Sequence, residues 1–250
     1  MVKEGRRMKI IPLSEGSFTI DKTKIFVPFD KQKDDLQKRS IGSLLVEIQP
    51  FVVVTQRDII LIDTGLGFYT EAGIMQLHQH LIDNSIMPGS VTKVLISHLH
   101  KDHAGGIQDE RHSTLSFPDA TWYVNKKELV FASEKNSLSY EPSMFSLLAS
   151  SPQVVQLDDS GTIDGYINYE MSGAHSPYHM VFTIEEENEK IFYGGDVAPQ
   201  LQQMKNRFIA KYDFDGKKSM ELRNQWWEQG KKEHWTFLFY HDIKSPFIVL

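Results

Sequence analysis

At 250 residues and 40% hydrophobic content the chain can bury a substantial core, and we expect one domain over residues 1–250. Lys and Arg number 27 against 33 Asp and Glu, and the resulting net charge of −6 argues against a general nucleic-acid binder, whose phosphate contacts need a basic surface. Without cysteine there are no disulfides or thiolate zinc sites, so any metal must be held mainly by His, Asp or Glu.

In chain order, the basic residues 1–7 are followed by mixed residues rather than the apolar core of a signal peptide, and no later run is apolar enough to span a bilayer. A cytoplasmic location and no membrane partner are therefore expected. Residues 8–13 and 17–20 read as strands around a Glu15-Gly16 turn. Residues 30–39 carry charges of both signs and read as a solvated loop; the sharper reading is a lid over a site, gripped by Phe26, Val27 and Phe29. Residues 43–49, 51–55 and 58–62 predict neighbouring strands of an antiparallel meander turning at Gln56-Arg57. Next comes Asp63-Thr64-Gly65, where the Asp63 carboxylate is suited to fixing turn amides. Residues 71–82 place Ile74, Leu77, Leu81 and Ile82 at helical spacing. His78 and His80 on that helix point about 200° apart around its axis and cannot share an ion, so they read as surface residues.

Residues 93–106 read Lys-Val-Leu-Ile-Ser-His-Leu-His-Lys-Asp-His-Ala-Gly-Gly. A short apolar strand delivers His98 and His100, whose rings share one side of an extended segment, followed by Asp102 and His103 where the chain turns toward a helix. Four such groups would be costly to bury without a cation, and a divalent ion with nitrogen and oxygen ligands accepts them all. Gly105 and Gly106 let the backbone pass close beside the ions. The segment resembles the signature of the metallo-β-lactamase superfamily. That resemblance implies an α/β fold, a four-layer αβ/βα sandwich with two sheets face to face, helices outside and a mono- or binuclear centre at one edge. It also implies that Asp63 sits beneath the site and orients its loops without binding metal.

Beyond the motif, residues 104–110 read as the start of a helix, 121–124 as a strand, and 126–133 and 142–150 as helical. Residues 140–148 are either core or a substrate wall. His112 has no partner pattern and reads as a surface residue. Residues 154–157 and 166–171 are expected in the second sheet, with 158–165 as a turn between them and 180–184 as a further strand. The loop Ser172-Gly173-Ala174-His175-Ser176-Pro177-Tyr178-His179 is similar to a Gly-His-Ser/Thr-Pro-Gly-His pattern whose first histidine binds metal, which implicates His175. Ala174 and Tyr178 depart from that pattern, and His179 is assigned to support rather than ligation. Residues 191–197 repeat the design of an apolar strand ending in glycines and a carboxylate. By resemblance Asp196 bridges both ions, as a carboxylate with two oxygens can span cations ~3.5–4 Å apart. Residues 217–229 predict an amphipathic helix and 235–240 a strand delivering His241, which matches the family's last ligand; His234 reads as solvated. Residues 247–250 are apolar enough to be tied down.

The resemblance thus implies His98, His100 and His175 on one divalent ion and Asp102, His103 and His241 on the other, with Asp196 between. The metals are expected to be zinc, with manganese, iron or cobalt also suited to the ligands. Water shared by the ions would be deprotonated to a bridging hydroxide that attacks a small ester, lactone or phosphoester, with Asp102 and Asp196 as the catalytic carboxylates. The outline looks most like the lactonase and organophosphate-hydrolase branch, although Pro199 stands where acyl-homoserine lactonases place a tyrosine. The alternatives are a glyoxalase II-like thioesterase and a catalytically silent metal-binding or sensing protein. The expected partner is a small-molecule substrate; oligomeric state is not addressed by the sequence.

Overall fold

The computed structural model describes residues 7–109, 111, 113–135 and 137–250. His112 lies outside the described residues. The strands are β1 (Lys9–Pro12), β2 (Gly16–Ile20), β3 (Val27–Pro28), β4 (Leu44–Ile48), β5 (Phe51–Val54), β6 (Ile59–Ile62), β7 (Lys93–Leu95), β8 (Gln108–Asp109) and β9 (Thr114–Leu115). They continue as β10 (Thr121–Asn125), β11 (Val154–Leu157), β12 (Ser160–Ile163), β13 (Ile167–Met171), β14 (Met180–Glu186), β15 (Glu189–Tyr193), β16 (Thr236–Leu238) and β17 (Phe247–Val249). The helices are α1 (Gln76–Asp83), α2 (Lys101–Ala104), α3 (Lys126–Glu134), α4 (Leu201–Lys205) and α5 (Gly216–Glu233).

Two six-stranded mixed sheets carry the fold, in the orders β1-β5-β6-β7-β10-β11 and β12-β13-β14-β15-β16-β17. Alternation along their strands divides the apolar residues into layers. Phe51, Val53, Ile60, Ile62 and Leu95 point inward to meet Ile167, Phe182, Ile184, Ile191 and Tyr193 of the second sheet. Their neighbours Val52, Leu61, Val94 and Trp122 point outward onto Leu77, Leu81 and Leu129 of α1 and α3. On the far side Phe192, Val181 and Phe237 take the Trp226 face of α5. The result is the αβ/βα sandwich. Phe182 is 1% exposed between the sheets, and truncating such a residue to alanine costs about 3–5 kcal/mol.

Several pairings differ from expectation. β4 does not join the β5-β6 hairpin; it pairs with β2 in a separate three-stranded sheet, β3-β2-β4, while β1 pairs with β5. Strand propensity shows that these segments are extended, but partner choice is set by long-range packing. β11 belongs to the first sheet, parallel to β10, rather than to the second. The supposed turn at 158–165 contains the edge strand β12. The helix expected over 104–110 lies earlier, as the single turn α2 that holds Asp102 and His103. Residues 142–150 form two 3-10 turns, not a continuous helix. Residues 30–39 are exposed except near Arg39, and Lys31 reaches back to Glu47 and to the Ile243 carbonyl, so this loop lies off the metal-site pocket.

Candidate metal centre

At one edge of the sandwich, the loop after β7 and three loops of the second sheet converge. His98, His100, His175 and Asp196 form one group of donor atoms, and Asp102, His103 and His241 another, each with its atoms within 4.8 Å of one another. His98 Nε2 stands 2.9 Å from His100 Nδ1, and His175 Nε2 stands 3.1 Å from the same atom. Asp196 lies between the groups. Its Oδ2 is 3.2 Å from His175 Nε2, and its Oδ1 is 3.1 Å from His103 Nε2 and 3.0 Å from His241 Nε2. Asp102 Oδ2 closes the second group, 3.5 Å from His241 Nε2.

These spacings suit shared ions, because donors 2.0–2.1 Å from a tetrahedral cation lie about 3.3 Å apart. The tautomers agree. His98 Nδ1 faces the Ser97 hydroxyl at 3.1 Å, and that hydroxyl in turn donates to Asp63. His103 Nδ1 donates to Asp63 at 2.8 Å, His175 Nδ1 to Asp213 at 2.8 Å, and His241 Nδ1 to the Glu47 carbonyl at 2.8 Å. With the proton committed at Nδ1, each ring offers its Nε2 lone pair to the centre. His103 Nε2 and Asp196 Oδ1 are buried without a hydrogen-bond partner, as donors awaiting a cation would be.

Charge at the centre points the same way. Burial opposes ionisation of Asp196, but the facing His241, His103 and His175 rings outweigh it and hold its carboxyl well below the usual range. Burial likewise opposes protonation of His103 and His241, yet Asp196 and Asp102 draw both upward. His98 is pushed well below its ordinary value by burial and then by the His103 ring, and His100 by burial and then by His175. The second group thus attracts positive charge while His98 and His100 of the first are held neutral, a combination a pair of divalent ions satisfies.

Supports for the loops were only partly expected. Asp63, at φ 54°, accepts from the Ser97 amide and hydroxyl, from His103 Nδ1 and from the Tyr193 hydroxyl at 2.6 Å, so it orients the motif without entering it. Gly105 and Gly106 serve a purpose other than clearance for metals. A Cβ on either would run into the backbone of Leu66 or Thr64, and one on Gly67, at φ +73°, would strike the Gly105 carbonyl. The two turns are pressed together backbone to backbone. His179 is fully buried, accepting from the Asp196 amide at 3.1 Å with Nε2 while Nδ1 meets the Ser172 hydroxyl. His78 is half-buried rather than on the surface, with Nε2 2.9 Å from the Ser116 carbonyl.

Two braces escaped the sequence reading. Asp213 holds His175 because the chain around it is strapped to the His175 loop: Phe214 N–H donates to His175 O at 3.0 Å and Asp215 N–H to Ala174 O at 2.8 Å. Glu128, on α3, accepts from the Leu99 amide at 3.0 Å and from the Ser176 hydroxyl at 3.3 Å, tying together the two histidine loops. Burial pushes its carboxyl up to about 7. A helical Lys-Lys-Glu carries no signal for either contact.

The family model described as the metallo-beta-lactamase superfamily matches residues 47–241. The chain belongs to that superfamily. Its fold is shared by a probable metal-dependent hydrolase from Staphylococcus aureus (TM-score 0.76, 20% identity, covering 97% of this chain and 92% of that one). It is shared as well by AidC, a dizinc quorum-quenching lactonase crystallised with its product (TM-score 0.73, 19% identity, 98% and 91%). The hydrolase AbOPH, described as in the beta lactamase superfamily, aligns with TM-score 0.75 at 21% identity, over 96% of this chain and 89% of that one. No curated protein matches the chain in sequence. Superfamily membership and the assembled His and Asp groups together support a metal-dependent hydrolase.

Proposed function

We propose that the chain is a single-domain hydrolase of small esters, lactones or phosphoesters, with His98, His100 and His175 on one divalent ion, Asp102, His103 and His241 on a second, and Asp196 shared. Zinc is our first choice of metal. The observation that carries this reading is the position of Asp196, whose two oxygens face the two groups at 3.0–3.2 Å. Ions bound there supply Lewis acidity that activates water and polarises a carbonyl or phosphoryl oxygen. The chain's own part is to hold that geometry. Asp63 and Asp213 fix the Nδ1 protons of His103 and His175, the Glu47 carbonyl fixes that of His241, and Arg223 donates to the Val197 carbonyl at 2.7 Å to pin the turn bearing Asp196.

A pocket over the centre, lined by Ile20, Phe26, Leu44, Phe208 and Tyr212, excludes water on its apolar side and gives a substrate its place. Pro199 also lines it and offers no hydroxyl. The phenol at the pocket is Tyr212, its ring 6.1 Å from that of His175, and burial pushes its hydroxyl up to about 12, which keeps it a hydrogen-bond donor at neutral pH. The AidC lactonase supports placing lactones on the panel. The test is metal content by elemental analysis together with turnover of lactones, p-nitrophenyl esters and phosphoesters by metal-loaded protein. Two ions per chain and hydrolysis of one class are expected. One ion at most, in both purified and reconstituted protein, ends the binuclear reading; no turnover with metal bound favours a sensing protein.

A further inference from the structure

The chain carries more acids than bases, yet lysines ring the mouth of this pocket. Lys24 and Lys101 line its inner part, and Lys22, Lys135 and Lys211 join Lys24 along the outer groove. Among the described residues none of the five ammonium groups makes a hydrogen bond or ion pair, although that of Lys135 lies 5.4 Å from the centre of the Phe131 ring. The carboxylates that face them are already engaged. Asp102 and Asp196 belong to the centre, Asp213 holds His175, and Asp21 accepts from the Thr23 amide and hydroxyl at 2.8 and 2.6 Å.

Lys24 lines both the pocket and the outer groove. It is half-buried at the end of the β2–β3 turn, where its N–H donates to the Asp21 carbonyl and its backbone adopts φ 57°. It shares the pocket wall with Ile20, Phe26, Leu44 and His100, and its ammonium forms no ion pair with a described residue. A ligand anion placed beside an unpaired ammonium gains a charge-assisted hydrogen bond.

We propose that the substrate is an amphipathic anion: an ester or lactone whose acyl part lies on the apolar wall and whose negatively charged end meets Lys24. This rests on the hydrolase reading above and adds a charge requirement to it. The outer lysines draw the anion in, and Lys24 fixes it.

The test uses two substrates matched in acyl length, p-nitrophenyl hexanoate and the mono-p-nitrophenyl ester of adipic acid, with metal-loaded protein. The adipate ester is expected to have roughly tenfold higher kcat/KM at low salt, expressed in KM, and to lose most of that advantage at about 0.5 M salt. Lys24→Asn, a neutral residue that tolerates the left-handed backbone, should collapse the preference, Lys24→Arg should keep it, and the α5 surface variant Lys231→Ala should leave it unmoved. Calorimetric binding of hexanesulfonate against hexanol reads the anion site without turnover, and Lys24→Asn should weaken the sulfonate alone. Sulfonate binding that depends on Lys24, in metal-loaded protein that cleaves none of the lactones, p-nitrophenyl esters and phosphoesters, would refute the hydrolase reading and leave the anion site standing. Equal binding of sulfonate and hexanol, or a substrate preference indifferent to Lys24, overturns the anion site whatever the activity.

Discussion

The two halves of the candidate centre are assembled in different ways. On the first sheet, His98, His100, Asp102 and His103 come from six consecutive residues behind β7, and Asp63 braces them through Ser97 and His103, with Glu128 holding the Leu99 amide between. On the second sheet, His175, Asp196 and His241 arrive on three loops, each with its own support: Asp213, His179 with Arg223, and the Glu47 carbonyl. A contiguous motif fixes its own geometry through local backbone. A dispersed set has to borrow its geometry from tertiary structure.

The sharpest break in that contrast is at Asp196, the one side chain facing both groups. Asp196→Ala is expected to keep the fold and lower kcat by roughly 10³-fold or more, with metal content falling below two ions per chain. An unchanged rate would remove the bridge from the account. Next is the shared brace of the contiguous half. Asp63→Ala strips partners from the Ser97, His103 and Tyr193 donors in a fully buried place, so denaturant unfolding should report a loss of about 3 kcal/mol or more. A milder loss would show that the motif holds itself without Asp63. For the dispersed half, Asp213→Asn should reduce metal affinity or activity about 10–100-fold with little change in melting temperature. A large fall in stability instead would make Asp213 a fold residue.

The smallest effect is one of pH. Glu15 lies under the Asp63–Gly67 turn, its Oε2 accepting from the Leu66 amide at 2.6 Å while Oε1 is buried without a partner. Burial pushes its carboxyl up to about 8, so the folded protein holds this proton more tightly than the unfolded chain. The stability it contributes is complete below the unfolded value near 4.5 and is lost as pH rises toward 8. Glu15→Gln should therefore flatten the stability profile across that window, with no change of slope below pH 4. Parallel profiles for the two proteins would show that the buried carboxyl is not protonated.

The same contrast explains what could be read from the amino-acid sequence. His98 to His103 announce themselves because strand, ligands and glycines sit in one window. Asp196 and His241 stand at strand ends, and their roles, like that of His175, come from the resemblance. The structure brings all seven residues together. Asp213 and Glu128 were missed because their partners are 38 and 29 residues away and nothing local marks them. The placement of β4 and β11 failed for a related reason: a Val- and Leu-rich run says that a strand exists, and its neighbours are chosen by packing across the molecule.

The interlock of Gly67, Gly105 and Gly106 has a practical consequence for anyone wishing to redirect this enzyme. One flank of the centre is backbone against backbone, with no room for even a methyl group, so libraries that randomise it will return unfolded protein. Variation belongs on the opposite flank, at Ile20, Phe26, Leu44 and Phe208, where side chains alone shape what can enter.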